Sequence, residues 1–98
     1  MNDFDIISAV VKRTVKNMER ASIFFKYANN DFCNGVSAYS KASSEKEINE
    51  SVEAFESASY NYKQAKSFGL DCQYDINKTA DMIKLCNSKR ELLKNTEK

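Results

Sequence analysis

Apolar residues recur at alternating steps of three and four residues along the first part of this 98-residue chain. This spacing places them on one face of an α-helix, because a helix turns once in about 3.6 residues. We therefore predict a first helix over about residues 3–29, with Asp3 as its N-cap and a stop at residues 29–31. The apolar positions are Phe4, Ile7, Val11, Thr14, Met18, Ala21, Phe25 and Ala28.

The same kind of spacing predicts two further long helices, over about residues 45–68 and 72–95. Ser44 and Glu47 form a capping-box pattern at the start of the second helix, and Gly69 is typical of its C-terminal end. Asp71 is the predicted cap of the third helix. Because so short a connection has no slack, the second and third helices are expected to be antiparallel. Residues 95–98 are expected to be a frayed tail.

Residues 31–43 carry conflicting signals. Phe32, Val36 and Tyr39 have helical spacing, whereas the pair Asn34-Gly35 favours a turn and costs helix stability. We predict a short helix or a structured loop there and leave the choice open. The predicted fold of the single domain, residues 1–98, is an all-α antiparallel bundle in which the first helix buries its whole apolar stripe against the other two.

The composition indicates a folded protein without recognisable catalytic chemistry. Hydrophobic residues make up 42% and charged residues 30% of the chain, and the net charge is only +1. There is no histidine and no phosphate-loop, dinucleotide, zinc-protease or EF-hand motif, so we expect a protein that is not an enzyme and holds no cofactor or metal. Neither a membrane-spanning apolar run nor a signal sequence is evident, which predicts a cytoplasmic protein without a membrane partner.

The three cysteines favour structural roles. They are odd in number and form no CxxC pair, so a disulfide framework is not expected. Cys72 and Cys86 are 14 residues apart, which places both on one face of the third helix beside Ile76 and Ile83. We predict that these two thiols are buried in the core.

One internal similarity involves a small residue, an aromatic residue and a second small residue. Ala21, Phe25 and Ala28 have the same spacing as Ala58, Tyr62 and Ala65. This spacing is similar to that of the second helix in a tetratricopeptide-type repeat. The large residue and the Leu-Gly pair of the first repeat helix are missing, so we assign no family.

Several apolar residues lie outside the predicted core stripes and are candidates for a protein interface. On the third helix they are Tyr74, Leu85 and Leu92; on the first they are Ile23, Phe24 and Tyr27. Residues 32–39 would cover the second group if they folded back over it. Our first hypothesis is a small protein-binding module, for example a stoichiometric inhibitor or immunity-type protein, and the Asn-, Lys- and Ser-rich composition resembles that of AT-rich bacterial or phage genomes.

Two other hypotheses use different surfaces or partners. The first helix carries a basic strip opposite its apolar stripe, formed by Lys12, Arg13, Lys16 and Arg20. This strip is either a solvated outer face or a site for weak, salt-sensitive nucleic-acid binding. The last hypothesis is a structural homo-oligomer, in which two copies bury the same apolar stripe.

Overall fold

The computed structural model describes residues 3–96 and contains three α-helices in this range. They are α1 (Asp3–Lys41), α2 (Glu45–Ser67) and α3 (Gln73–Thr96), and no strand occurs among these residues. The α2 helix packs against both α1 and α3. Successive helices are antiparallel, because Ser51 near the start of α2 contacts Gly35 and Cys86, whereas Tyr62 near its end contacts Asn29 and Cys72. The all-α bundle is confirmed, and its shape is elongated, at 73 × 16 × 15 Å.

The predicted break near residue 30 is wrong, because α1 is continuous from residue 3 to residue 41. Asn29 and Asp31, which were predicted to end α1, instead accept hydrogen bonds from side chains of α2. Asn29 accepts a hydrogen bond from the Tyr62 hydroxyl at 2.6 Å, and Asp31 accepts from Ser57 at 2.7 Å and from Asn61 at 2.9 Å. Residues 31–41 are therefore neither a separate short helix nor a loop.

Gly35 is the physical reason that the turn signal failed. Glycine costs about 1 kcal/mol relative to alanine inside a helix. A Cβ atom at position 35, however, would lie only 2.7 Å from Cε1 of Phe55, closer than side chains can approach. Ser51 also donates a hydrogen bond to the Gly35 carbonyl oxygen at 2.7 Å. The glycine serves close packing between α1 and α2, and this packing outweighs the local preference for a turn.

The contact between α1 and α2 repeats every seven residues. On α1 a row of small residues is buried, and a row of large aromatic residues packs beside it. On α2 a row of small residues and a row of large apolar residues are both buried. The rows are Ala21, Ala28 and Gly35 with Phe25, Phe32 and Tyr39 on α1, and Ser51, Ala58 and Ala65 with Ile48, Phe55 and Tyr62 on α2. Such spacing is that of a coiled coil, in which large side chains enter spaces left by small ones.

Aromatic pairs join the two helices and explain the internal similarity of the sequence. The rings of Phe25 and Tyr62 are 5.6 Å apart, edge to face, and those of Phe32 and Phe55 are 5.3 Å apart. Phe25 and Tyr62 are the aromatic residues of the two similar segments. The repeated spacing therefore belongs to two helices that pack on each other, and the small residues permit their close approach.

The ends of α2 follow the predicted capping chemistry. The Glu47 amide donates to the Ser44 hydroxyl at 3.2 Å, and hydrogen bonds from Ser43 and Ser44 lower the pKa of the Glu47 carboxyl. At the other end Gly69 has a φ of +108°, which favours glycine. The amides of Gly69 and Leu70 donate to the carbonyls of Lys66 and Ala65, at 2.9 and 3.1 Å, as in a Schellman motif.

The third helix begins one residue later than predicted and continues through Thr96. Residues 97 and 98 of the predicted frayed tail lie outside the described residues. Asp71 is within 3.5 Å of the Gln73 amide, as expected for a capping side chain. Cys72 and Cys86 are buried as predicted, and the Cys72 thiol donates to the Tyr62 carbonyl oxygen at 3.0 Å. Asp3, the predicted N-cap of α1, is itself helical.

We expect Gly35→Ala to destabilise the protein by about 1–3 kcal/mol, because the new Cβ atom would overlap the Phe55 ring. Urea unfolding followed by circular dichroism measures this change. Asn34→Ala, at the neighbouring exposed position, is the control and should be neutral or slightly stabilising. The double variant with Phe55→Leu should show a favourable coupling energy. A stabilised Gly35→Ala protein would contradict the packing argument.

We also expect stability to fall between pH 10 and pH 12 because of Tyr62. Burial, followed by the negative charge of Asp75, raises the pKa of Tyr62 from 10.0 to about 12. In this range the unfolded chain loses the phenolic proton while the folded protein keeps it, so rising pH favours unfolding. Urea unfolding at pH 9 and pH 11.5 should show a smaller loss for Tyr62→Phe than for the parent or for the exposed control Tyr60→Phe. Equal losses would show that Tyr62 contributes nothing to this dependence.

Candidate interaction surface

The first half of α1 extends beyond the hairpin formed by α2 and α3. The 39 residues of α1 span about 58 Å, whereas the 23 residues of α2 span about 35 Å. The part of α1 that the hairpin covers ends near Phe24, where the Phe68 ring stacks on the Phe24 ring with centroids 5.8 Å apart. We call residues 3–20 of α1 the arm. The prediction that the whole apolar stripe of the first helix is buried is therefore wrong for residues 4–18.

One side of the arm is apolar and exposed. Six large side chains on this side are between 48% and 76% exposed. We call them the arm face: Phe4, Ile7, Val10, Val11, Val15 and Met18. Residues 4, 11 and 18 continue the aromatic row of α1 in steps of seven, and residues 7 and 14 continue its small row. The pattern that packs α1 on α2 thus extends over about two more heptads without a helix to cover it.

A cleft lies where the arm meets the turn between α2 and α3. It has a volume of about 600 Å³ and is open to solvent. The apolar part of its lining comes from Met18, Ala21, Phe25, Phe68 and Leu70. Met18 belongs to both the cleft and the arm face, so the two form one continuous apolar surface.

The basic strip lies on the opposite side of the arm. Lys12, Arg13 and Lys16 are exposed, as expected for either of its two interpretations. The Arg20 guanidinium lies 5.7 Å from the centroid of the Phe68 ring, in a cation–π arrangement. Arg20 therefore also contacts the end of the hairpin. Within residues 3–96, Lys12, Arg13 and Lys16 make no cation–π contact.

The interface residues predicted on α3 are exposed but far apart. Tyr74, Leu85 and Leu92 lie on one face of α3, separated along its axis by about 16 Å and about 10 Å. Exposed apolar residues that are scattered singly in this way are common on protein surfaces. They form a much sparser surface than the arm face.

The residues predicted near the end of the first helix have different environments. Ile23 and Tyr27 are exposed, whereas Phe24 is half-buried against Phe68. Residues 32–39 do not fold back over this group, because they continue α1. Phe32 and Tyr39 instead pack against the core that contains Phe55 and Cys86. Phe68 takes the covering role that we considered for them.

The arm face was missed because the sequence assigned it to the core. The sequence nevertheless indicated that α1 is continuous. The small residues Ala28, Gly35 and Ala42 are seven residues apart and extend the small row through the predicted break. A continuous helix to residue 41 is much longer than its predicted neighbours, and part of its stripe must then lack cover.

Residues 3–96 contain no group of three or more side chains suited to hold a metal ion, and no helix long and apolar enough to cross a membrane. Burial raises the pKa of the Cys72 thiol, which makes it a poor nucleophile. Comparison with known proteins gives no match: no protein-family model, curated protein or solved structure resembles this chain closely enough to indicate a relationship.

Proposed function

We propose that this protein is a non-enzymatic interaction module that binds a helical protein partner through the arm face. The observation that carries the proposal is the exposure of six large apolar side chains on one side of the arm. Four of them, Phe4, Ile7, Val11 and Met18, continue in register the two rows of α1 that pack on α2. A contiguous exposed apolar surface is a common mark of a binding site. A helix with anchors at spacings of three, four and seven residues is a known mode of protein recognition.

The packing of α2 on α1 indicates what a complementary partner looks like. The α2 helix is antiparallel to α1 and presents alternating large and small residues to it. A partner helix with the same alternation would meet the arm face in the same geometry. This explains why we favour a helical partner over an extended peptide.

A cytoplasmic location is part of the proposal. All three cysteines are free, and the Cys33 side chain is exposed. Free thiols of this kind suit a reducing compartment. Use of the same arm face as an inhibitor or immunity-type contact would be one form of this function.

Site-specific photo-cross-linking tests the proposal. A photoreactive phenylalanine analogue replaces Val11 on the arm face, Leu85 on α3, or Ala9 on the opposite side of the arm, and the cells that produce the protein are irradiated. We expect a cross-linked protein adduct from position 11 and none from position 9. An adduct from position 85 alone would move the interface to α3, and no adduct from either apolar position would contradict a protein-binding function.

A further inference from the structure

We infer that the partner of the arm face is the arm of a second copy of this chain, packed antiparallel across a two-fold axis. This inference rests on the proposed function and names its partner. The dimer would be closed, because each copy uses the same surface and none remains for a third. Three features of the described residues support it: length, charge and the position of the cleft.

The first feature is length. An antiparallel helix covers α1 from residue 21 onward, and the uncovered part is the arm alone. A partner that covers only the arm must be about 18 residues long, or about 27 Å. The arm of a second copy has this length and the required apolar spacing. Two hairpins at opposite ends of the paired arms would also not collide, because each begins where the other arm ends.

The second feature is charge. The first half of the arm, residues 3–10, carries Asp3 and Asp5 and no basic residue. The second half, residues 11–20, carries four basic residues and one acidic residue, Glu19. Antiparallel pairing places the acidic half of each arm beside the basic half of the other, whereas parallel pairing places the two basic halves together. The basic strip lies on the side of the arm away from the pairing face, so these charges act across the pair only at long range, and their sum favours the antiparallel arrangement.

The third feature is the cleft at the end of the arm. In an antiparallel pair centred near Val11, Phe4 of one copy lies at the level of Met18 of the other. Met18, Phe68 and Leu70 line the cleft of about 600 Å³ at that level. The most exposed side chain of the arm face, Phe4, would thus enter an apolar site at each end of the pair.

An anionic membrane surface is the competing occupant, since the arm is also an amphipathic helix with basic residues. The charges of residues 3–20 are four positive and three negative, which leaves only +1 to attract such a surface. An anionic surface would also repel the carboxylates of Asp3 and Asp5. The charge pattern therefore favours self-pairing.

Sedimentation equilibrium of the full chain, from a few to a few hundred micromolar, tests the inference. We expect a dimer of twice the 11.2 kDa chain mass. Val11→Asp should weaken the dimer by about 100-fold or more, because it buries two unpaired carboxylates near the axis. Ala9→Asp adds the same charge on the opposite side of the arm and should leave the dimer intact. Unchanged circular dichroism and urea midpoints at low concentration show that both variants fold.

Cysteine cross-linking tests the orientation, in a Cys33→Ser background that removes the exposed native thiol. With a short bismaleimide, Val11→Cys should cross-link to itself because position 11 lies near the axis. Phe4→Cys should cross-link to Met18→Cys in a mixture of the two variants, and not to itself. Self-linkage of Phe4→Cys would contradict antiparallel pairing.

The failures of this inference and of the proposed function are distinguishable. A parent protein that is monomeric throughout the concentration range overturns self-pairing. A foreign protein adduct from position 11 would then preserve the binding function with another partner. Binding to vesicles of mixed neutral and anionic phospholipid that is lost in Val11→Asp and kept in Ala9→Asp would overturn both, in favour of a lipid surface.

Discussion

Close contact between α1 and α2 is the constraint on which the rest of the structure depends. Small residues repeat every seven positions on both helices, and Gly35 leaves room for the Phe55 ring where a methyl group would overlap it. The contact is directional as well as close, because Ser51 binds the Gly35 carbonyl and Tyr62 binds Asn29 across it. Its energy keeps α1 helical through residues that locally favour a turn.

The continuity of α1 has a direct consequence for the surface of the molecule. The second helix ends at a Schellman motif around Gly69, and Phe68 closes the interface on Phe24. A helix that must run unbroken to Lys41 is therefore longer than the helix that covers it. The uncovered remainder is the arm, and its apolar face is exposed for geometric reasons that involve no special residue on the arm itself.

The same seven-residue pattern thus has two different environments in one helix. Over residues 21–41 it forms the core with α2, and over residues 4–18 its large side chains are exposed. In the pairing that we propose, the apolar spacing supplies the contact area, and the separation of acidic and basic residues along the arm favours one orientation at long range.

The sequence by itself determined the elements whose signals are local. The capping box at Ser44, the positive φ of Gly69, the antiparallel α2–α3 pair and the burial of Cys72 and Cys86 all follow from residues near one another in the chain. Only the tertiary structure decided whether Asn34-Gly35 would be a turn and which part of the α1 stripe would be covered. Both depend on Phe55 and Phe68, which lie more than 15 residues away in sequence, and a local pattern reports only that a face is apolar, without indicating what packs against it.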